Sequence, residues 1–282
     1  MSSPAVQPLL AMLACPVGGN PTQYMVDRAF LHHDLDWRYL TFEVMPEDLE
    51  SAVRGMRVLG FHGVHLADPH KGSVIPLLDR TTETGTMIGS VNLVFREEDE
   101  LVGDNTEGKG VLQAISNTLN PAGRQAVVLG AGRIARAVAV ELAAAGAAGL
   151  TIVNRTQDRA KELVALLSDQ FDVPVAAVAW QGEFSVPPET ELLIHATSLG
   201  HASEEVSVPL VLDSLHPELF VADVNIGSPQ TRLLGAAARR GCKTLDGLSM
   251  LVEQVAIAIN LWTGVDPKRQ VLREAAEEFL GL

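Results

Sequence analysis

The chain has 282 residues, of which 47% are apolar, 20% charged and 5% aromatic, and its formal net charge is −14. That length fits two compact domains rather than one, and the composition is globular, with a core built from aliphatic side chains more than rings. The acidic balance argues against nucleic acid or an anionic membrane surface as partner, and no apolar run is long enough for a transmembrane helix.

The N-terminus lacks the basic flank of a signal peptide, and Cys15 and Cys242 show neither CxxC spacing nor a nearby histidine. A reducing cytoplasm is the expectation, without a disulfide framework or a metal site. The His32-His33 pair has no spaced third ligand and reads as an exposed helix face.

In chain order, "LLAMLAC" (9–15) reads as a buried strand, although periodicity alone does not exclude a helical turn. Residues 21–35 have helical spacing with a proline at the start, and "DWRYLTFEV" (36–44) alternates as a strand does. "MPEDLESAVRGMRVLG" opens with Pro46 and acidic residues and closes at Gly60, the pattern of a complete helix. A strand then leads into Asp68-Pro69-His70-Lys71, and a helix is expected through "SVIPLLDR". "MIGSVNLVFREEDELVGDNTEGKG" predicts a hairpin with "REEDE" at its turn, followed by a loop. Alternating strands and helices make this first part an α/β domain.

From Gly123 the pattern becomes repeated strand–helix units: Ala126–Leu129, a glycine turn, an alanine-rich helix, and a strand ending at Asn154. The runs "ELLIHATSL" and "ELFVADVNI" continue the series, with "QTRLLGAAARRG" as a helix between later strands. Such units imply a doubly wound parallel sheet with helices on both faces. The stretch from "LSMLVEQVAIAINLWTG" to "VLREAAEEFLGL" reads as two helices. The expected organisation is a substrate domain over 1–116, a nucleotide domain over 117–248, and C-terminal helices over 249–282 that return to the first domain.

Gly130-x-Gly132-x-x-Ala135 lies between a strand and a helix, the context a dinucleotide fingerprint requires. The first glycine permits the tight turn, the second lets a pyrophosphate approach the backbone, and the small third residue lets helix and strand pack closely. The same glycines could serve only the turn of a doubly wound fold. The next strand ends in Asn154-Arg155-Thr156, with Arg159 beyond, where an NAD site usually carries an acidic residue. A neutral and cationic set suits a 2′-phosphate, so NADP is the expected cofactor. NAD stays open if the two arginines are surface charges on the following helix.

The motifs "PHK" (69–71), "IGSVNLV" (88–94), "GDNTEGKG" (103–110), "DGLSMLVEQ" (246–254) and "WTG" (262–264) surround a "GAGxxARA" loop and "NRT". In that order they resemble the shikimate/quinate dehydrogenase family, over most of the chain. The resemblance implies two α/β domains, one of them Rossmann-type, with the active site in the cleft between them. It also implies reversible hydride transfer between NAD(P) and a carboxylated ring alcohol or ketone, and a place in aromatic amino-acid biosynthesis. Carried over residue by residue, it puts the catalytic lysine at Lys71 and the acidic partner at Glu107, where the family usually has aspartate. Asn20, His65, Asn92 and Gln254 fall at substrate-binding positions. Gly130, Gly132, Arg133, Ile134, Ala135, Asn154, Arg155, Thr156, Arg159, Thr197 and Gly247 fall at cofactor positions. A carboxylate beside an ammonium favours its charged form, which makes the lysine a donor and electrostatic stabiliser in ketone reduction.

Departures from the family pattern gather where it holds substrate. The usual Ser-x-Ser-Pro, whose hydroxyls bind the substrate carboxylate, is Gly18-Gly19-Asn20-Pro21 here. "NVT" before the lysine motif is His65-Leu66-Ala67, and the tyrosine after "DxV" is Ile226. A site that loses polar partners discriminates strongly against its former substrate. Shikimate is therefore not expected to be the preferred substrate; among shikimate, quinate and related ring acids or polyols, a relative of shikimate is the expected ligand, bound by a monomer or homodimer. The alternative is a nucleotide-binding regulator that has lost turnover.

Overall fold

The computed structural model describes residues 7–199 and 208–282. These residues divide into two compact units, one running to Thr106 and resuming with Gln254–Leu282, the other formed by Glu107–Glu253.

The first unit is built on a mixed sheet. Strand β1 (Leu9–Ala14) is buried along nearly its whole length, as a central strand must be. Helix α1 (Thr22–His32) follows Pro21, and β2 (Arg38–Glu43) returns parallel to β1. A 3-10 turn at Pro46–Asp48 leads into α2 (Leu49–Val58), and β3 (Gly63–Leu66) lies on the other side of β1. Helix α3 (His70–Ser73) is a single turn after the cis Asp68–Pro69 peptide. Strand β4 (Arg80–Thr81) and helix α4 (Glu83–Ile88) precede the hairpin of β5 (Leu93–Glu97) and β6 (Glu100–Asp104). The sheet order is β2-β1-β3-β5-β6-β4, and β5 runs antiparallel to both its neighbours.

The helix expected through "SVIPLLDR" does not form. Pro76 has no N–H to continue an α-helical ladder, so the backbone makes a 3-10 turn over Ile75–Leu77 and becomes extended at Leu78. Asp79 N–H then donates to Leu101 O at 3.1 Å and Thr82 N–H to Gly103 O at 2.8 Å, which turns the segment into a sheet edge. Helix α4 was not foreseen: Thr82 caps its start by accepting from Gly85 N–H, and Gly89 at φ +67 ends it. The loop expected after the hairpin is also shorter than its sequence suggests, because a helix begins at Glu107.

The second unit opens with α5 (Glu107–Ser116) and β7 (Gln125–Leu129), followed by α6 (Arg133–Ala144), β8 (Gly149–Asn154), α7 (Gln157–Gln170) and β9 (Val175–Ala179). Strand β10 (Leu192–His195), β11 (Phe220–Asp223), α8 (Arg232–Arg239), β12 (Lys243–Leu245) and the start of α9 (Gly247–Thr263) complete it. All neighbouring strands are parallel, in the order β12-β11-β10-β7-β8-β9. Numbered within the unit and read from the β9 edge, that is 3-2-1-4-5-6, the Rossmann order. Strands β9 and β12 lie at its edges and carry the weakest sequence signals, so they escaped the sequence reading. Helix α5 packs on α6 through Gly108, where a methyl group would overlap the Ala137 backbone.

The C-terminal residues complete the first unit. Helix α10 (Arg269–Leu280) packs against α1. Trp262, near the end of α9, lies on β3 at Gly63 and donates its indole N–H to Val94 O at 3.0 Å.

Candidate active site

Lys71 enters the structure at the carboxyl end of β3. It lies in α3, half-buried, and its own carbonyl accepts from Val91 N–H at 2.8 Å, which ties the lysine turn to the segment that carries Asn92 into β5. His70 beside it is buried, with Nε2 2.9 Å from Val44 O.

Asn92 is buried and engaged at both ends of its amide. Its Oδ1 accepts from Thr106 N–H at 2.7 Å, and its Nδ2 donates to the Thr106 hydroxyl at 3.0 Å. Thr82 donates to Asp104 at 2.6 Å, and Asn105 Nδ2 donates to Ser90 O at 3.0 Å. The "DNT" segment is thus held rigidly, side chain by side chain, immediately before Glu107, which opens α5 and is buried.

Asn20 is half-buried and its side-chain carbonyl accepts from Thr22 N–H at 2.9 Å, an Asx turn that leads the chain into α1. Gly19 precedes it at φ +76, a left-handed turn. Gln254 lies half-buried on α9.

His65 is 2% exposed. Its Nδ1 lies 2.8 Å from the Tyr39 hydroxyl, and the Trp262 ring meets its ring edge-on at 4.7 Å between centroids. Burial, together with the positive charge of Lys71, lowers its pKa to about 3, so the ring is neutral at physiological pH. No described residue pairs with Nε2.

The nucleotide residues gather at the carboxyl edge of the parallel sheet. Gly130 has φ +121, and a Cβ there would stand 2.6 Å from Ala196 O, so only glycine suits this crossing of β7 and the loop after β10. Gly132 is extended at the start of α6, a Cβ on it would meet nothing within 4 Å, and no side chain caps the helix. An N-terminus of α6 with no side-chain cap, under open space, suits a pyrophosphate. Arg133 and Ile134 begin α6, and Ala135 is fully buried against the sheet. At the end of β8, Asn154 Nδ2 donates to Thr156 O at 2.8 Å, which fixes the turn bearing exposed Arg155, with exposed Arg159 one turn into α7. The turn from Asn154 to Thr156 carries no carboxylate. These residues fit a dinucleotide with a 2′-phosphate.

Thr197 is positioned from below. His195 is fully buried, with Nε2 2.6 Å from the Thr197 hydroxyl and Nδ1 3.0 Å from Asp223. Asp223 also accepts from Thr231 Oγ1 at 2.8 Å and Asn225 N–H at 3.1 Å. Gly247 is buried where a methyl would overlap the Asn225 backbone, which brings the start of α9 against the loop after β11. Among the described residues no group of His, Cys, Asp or Glu is arranged to hold a metal, and both cysteines are free. No described helix is long and apolar enough to cross a membrane.

Residues 12–94 match the shikimate dehydrogenase substrate binding domain, 113–200 the shikimate / quinate 5-dehydrogenase family, and 247–277 the shikimate 5'-dehydrogenase C-terminal domain. The chain is 38% identical over 263 residues to a shikimate dehydrogenase (NADP(+)) of Alkaliphilus metalliredigens, covering 92% of each chain. The chain belongs to the shikimate dehydrogenase family. It is an oxidoreductase with a Rossmann-type domain.

Two solved structures are similar to it over nearly the whole chain. The chain resembles the ligand-free 5-ketofructose reductase of Gluconobacter sp. strain CHM43 at a TM-score of 0.95 and 41% identity, over 98% of this chain and 99% of that one. It resembles the Listeria monocytogenes shikimate 5-dehydrogenase, solved with shikimate and NAD, at a TM-score of 0.88 and 28% identity, over 95% and 96% of the two chains.

Shikimate dehydrogenase motifs led the sequence reading to Lys71, Asn92 and Thr197, but not to the groups that hold them. Tyr39 escaped it because its link to His65 passes over β1: Leu10 pairs with both Tyr39 and Gly63, so all three neighbours share a face. The alternation of "DWRYLTFEV" marks Tyr39 as inward-facing, without naming its partner. Asp223 and His195 each end an apolar run, and that shared position was the available signal.

Proposed function

We propose that this chain catalyses NADP-dependent, reversible interconversion of a secondary alcohol and a ketone on a carboxylated ring such as shikimate or quinate, with Lys71 as the proton donor and Glu107 as the second acid–base group. The observation that carries the reading is a lysine turn tied to the segment bearing Asn92, in a chain that also carries a glycine cradle at the start of α6. NADPH supplies the hydride when bound. As the carbonyl oxygen gains charge, the Lys71 ammonium gives it a proton, and in the reverse direction the amine receives one. The buried Glu107 carboxylate serves as acceptor for protons passing to or from the site. Gly130, Gly132, Arg133, Ile134 and Ala135 seat the pyrophosphate, Asn154, Arg155, Thr156 and Arg159 take the 2′-phosphate, and Thr197 and Gly247 shape the nicotinamide end.

A second reading concerns the substrate. Gly18-Gly19 offers no hydroxyls for a carboxylate, Asn20 uses its carbonyl on Thr22, and Ala67 stands where the family has threonine. These features favour an uncharged polyhydroxy ketone, of the kind the Gluconobacter relative's name describes. Turnover of purified protein with shikimate, quinate and 5-ketofructose, each with NADP(H) and NAD(H), separates the two. Oxidation of either ring acid with NADP supports the first, reduction of 5-ketofructose alone supports the second, and inactivity on all three overturns both.

A further inference from the structure

The buried corner formed by Tyr39, His65 and Trp262 does more than pack. Tyr39 is 2% exposed, and burial raises its pKa well above the usual phenol value, so it keeps its hydrogen. A buried hydroxyl needs an acceptor, and among the described residues the only one within hydrogen-bonding distance of the Tyr39 hydroxyl is His65 Nδ1 at 2.8 Å. A neutral imidazole that accepts at Nδ1 carries its proton on Nε2. The Trp262 N–H already donates to Val94 O, and the indole presents no acceptor to the ring. The Nε2–H is therefore a buried donor that no described residue satisfies. Leaving such a donor unmet carries the full desolvation penalty of the group, a cost that a ligand oxygen removes.

We propose that Tyr39 is a positioning residue for substrate recognition: it fixes His65 as the Nε2–H tautomer, and that N–H donates to a hydroxyl oxygen of the substrate. This rests on the reading of the Lys71 turn as the substrate site. The donor belongs to the strand that leads into Lys71, and the charge felt by the ring is that of Lys71. A hydroxyl suits this donor better than a carboxylate. A neutral N–H leaves a buried anion uncompensated, whereas a hydroxyl needs a hydrogen bond alone. The replacement of a family asparagine by histidine thus substitutes a donor locked by a neighbour for an amide that can rotate.

The test combines spectroscopy and kinetics on the full chain. Imidazole ¹⁵N spectra of histidine-labelled protein, assigned by the loss of signals in His65→Gln, report which ring nitrogen carries the proton. The wild type should show protonated Nε2, and Tyr39→Phe should bring in the second tautomer. In the kinetic arm, KM and kcat are measured for shikimate oxidation and for 5-ketofructose reduction. His65→Leu should raise KM about tenfold for the substrate that turns over, with kcat little changed, as loss of one ground-state contact requires. His65→Gln, which carries an amide N–H to the same place, should recover most of that loss, and Tyr39→Phe should raise KM a few-fold. A bare Nε2 in the wild type, or a folded His65→Leu protein with wild-type KM, would overturn the proposal. Because the spectrum needs no turnover, inactivity on these two probes and on quinate would defeat the proposed function while the tautomer still decided the role of Tyr39.

Discussion

The indole of Trp262 occupies the space that a side chain at residue 63 would need. Gly63 lies in the middle of the sheet, and a methyl group there would overlap the indole ring, whose N–H reaches Val94 O on the neighbouring strand. The C-terminal helix α9 is therefore seated on β3 through a glycine, and the Tyr39–His65 corner lies against the same ring. Gly63→Ala should lower stability by about 1–3 kcal/mol through overpacking and shift the tryptophan emission. Denaturant unfolding monitored by fluorescence is the check. An unchanged midpoint and spectrum would show that the indole has room to move aside.

His65 should make stability depend on pH. Its folded pKa is about 3 against an unperturbed 6.5, so between those values the unfolded chain binds a proton that the folded chain refuses. The contribution is complete above the unfolded value and is lost as pH falls toward the folded one, with a limiting slope of about 1.4 kcal/mol per pH unit. The stability difference between wild type and His65→Gln should accordingly move against the wild type from pH 6.5 to pH 4. A difference that stays constant across that range would mean the imidazole protonates freely in the folded protein.

Replacing Lys71 by methionine keeps an unbranched side chain, one atom shorter, and removes the ammonium proton. Loss of a positioned acid costs about 10²–10⁴ in rate, so kcat should fall by that factor for whichever substrate turns over. Nucleotide affinity, measured by calorimetry, should stay near wild type because the cradle lies on the other unit. A modest fall in kcat would remove Lys71 from the chemical step.

Arg155→Ala should separate the two cofactors. A charge-assisted hydrogen bond contributes about 1.5–3 kcal/mol, so NADP affinity should drop roughly tenfold to a hundredfold while NAD affinity changes little. Equal weakening of both would show that the arginine acts on the turn and not on the 2′-phosphate.

Much of this architecture was legible because it rests on local chemistry. The glycines at 130 and 132, the strand before them and the alanine-rich helix after them define the nucleotide unit, since their roles depend on residues a few positions apart. The hairpin around "REEDE" and the two C-terminal helices were equally readable from alternation and helical spacing. The segment from Ser73 to Arg80 was not. Its fate depended on whether Pro76 would interrupt a helix or open one, and the partners that settled it, Leu101 and Gly103, lie about one hairpin away in sequence.

The sequence by itself determined the family and the fold class, and through the family resemblance it named Lys71, Glu107 and the Gly130–Ala135 loop as site candidates. Each is carried by a motif of contiguous residues. Only the tertiary structure decided what Asn92, His65 and Asn20 do. Asn92 is held at both ends by Thr106, His65 by Tyr39 across an intervening strand, and Asn20 by the N–H of Thr22 at the start of α1. A polar side chain has a fixed set of donors and acceptors, but which of them remain for a ligand depends on every neighbour the fold brings within about 3 Å. Those neighbours come from separate strands and helices, so no window of sequence contains the answer.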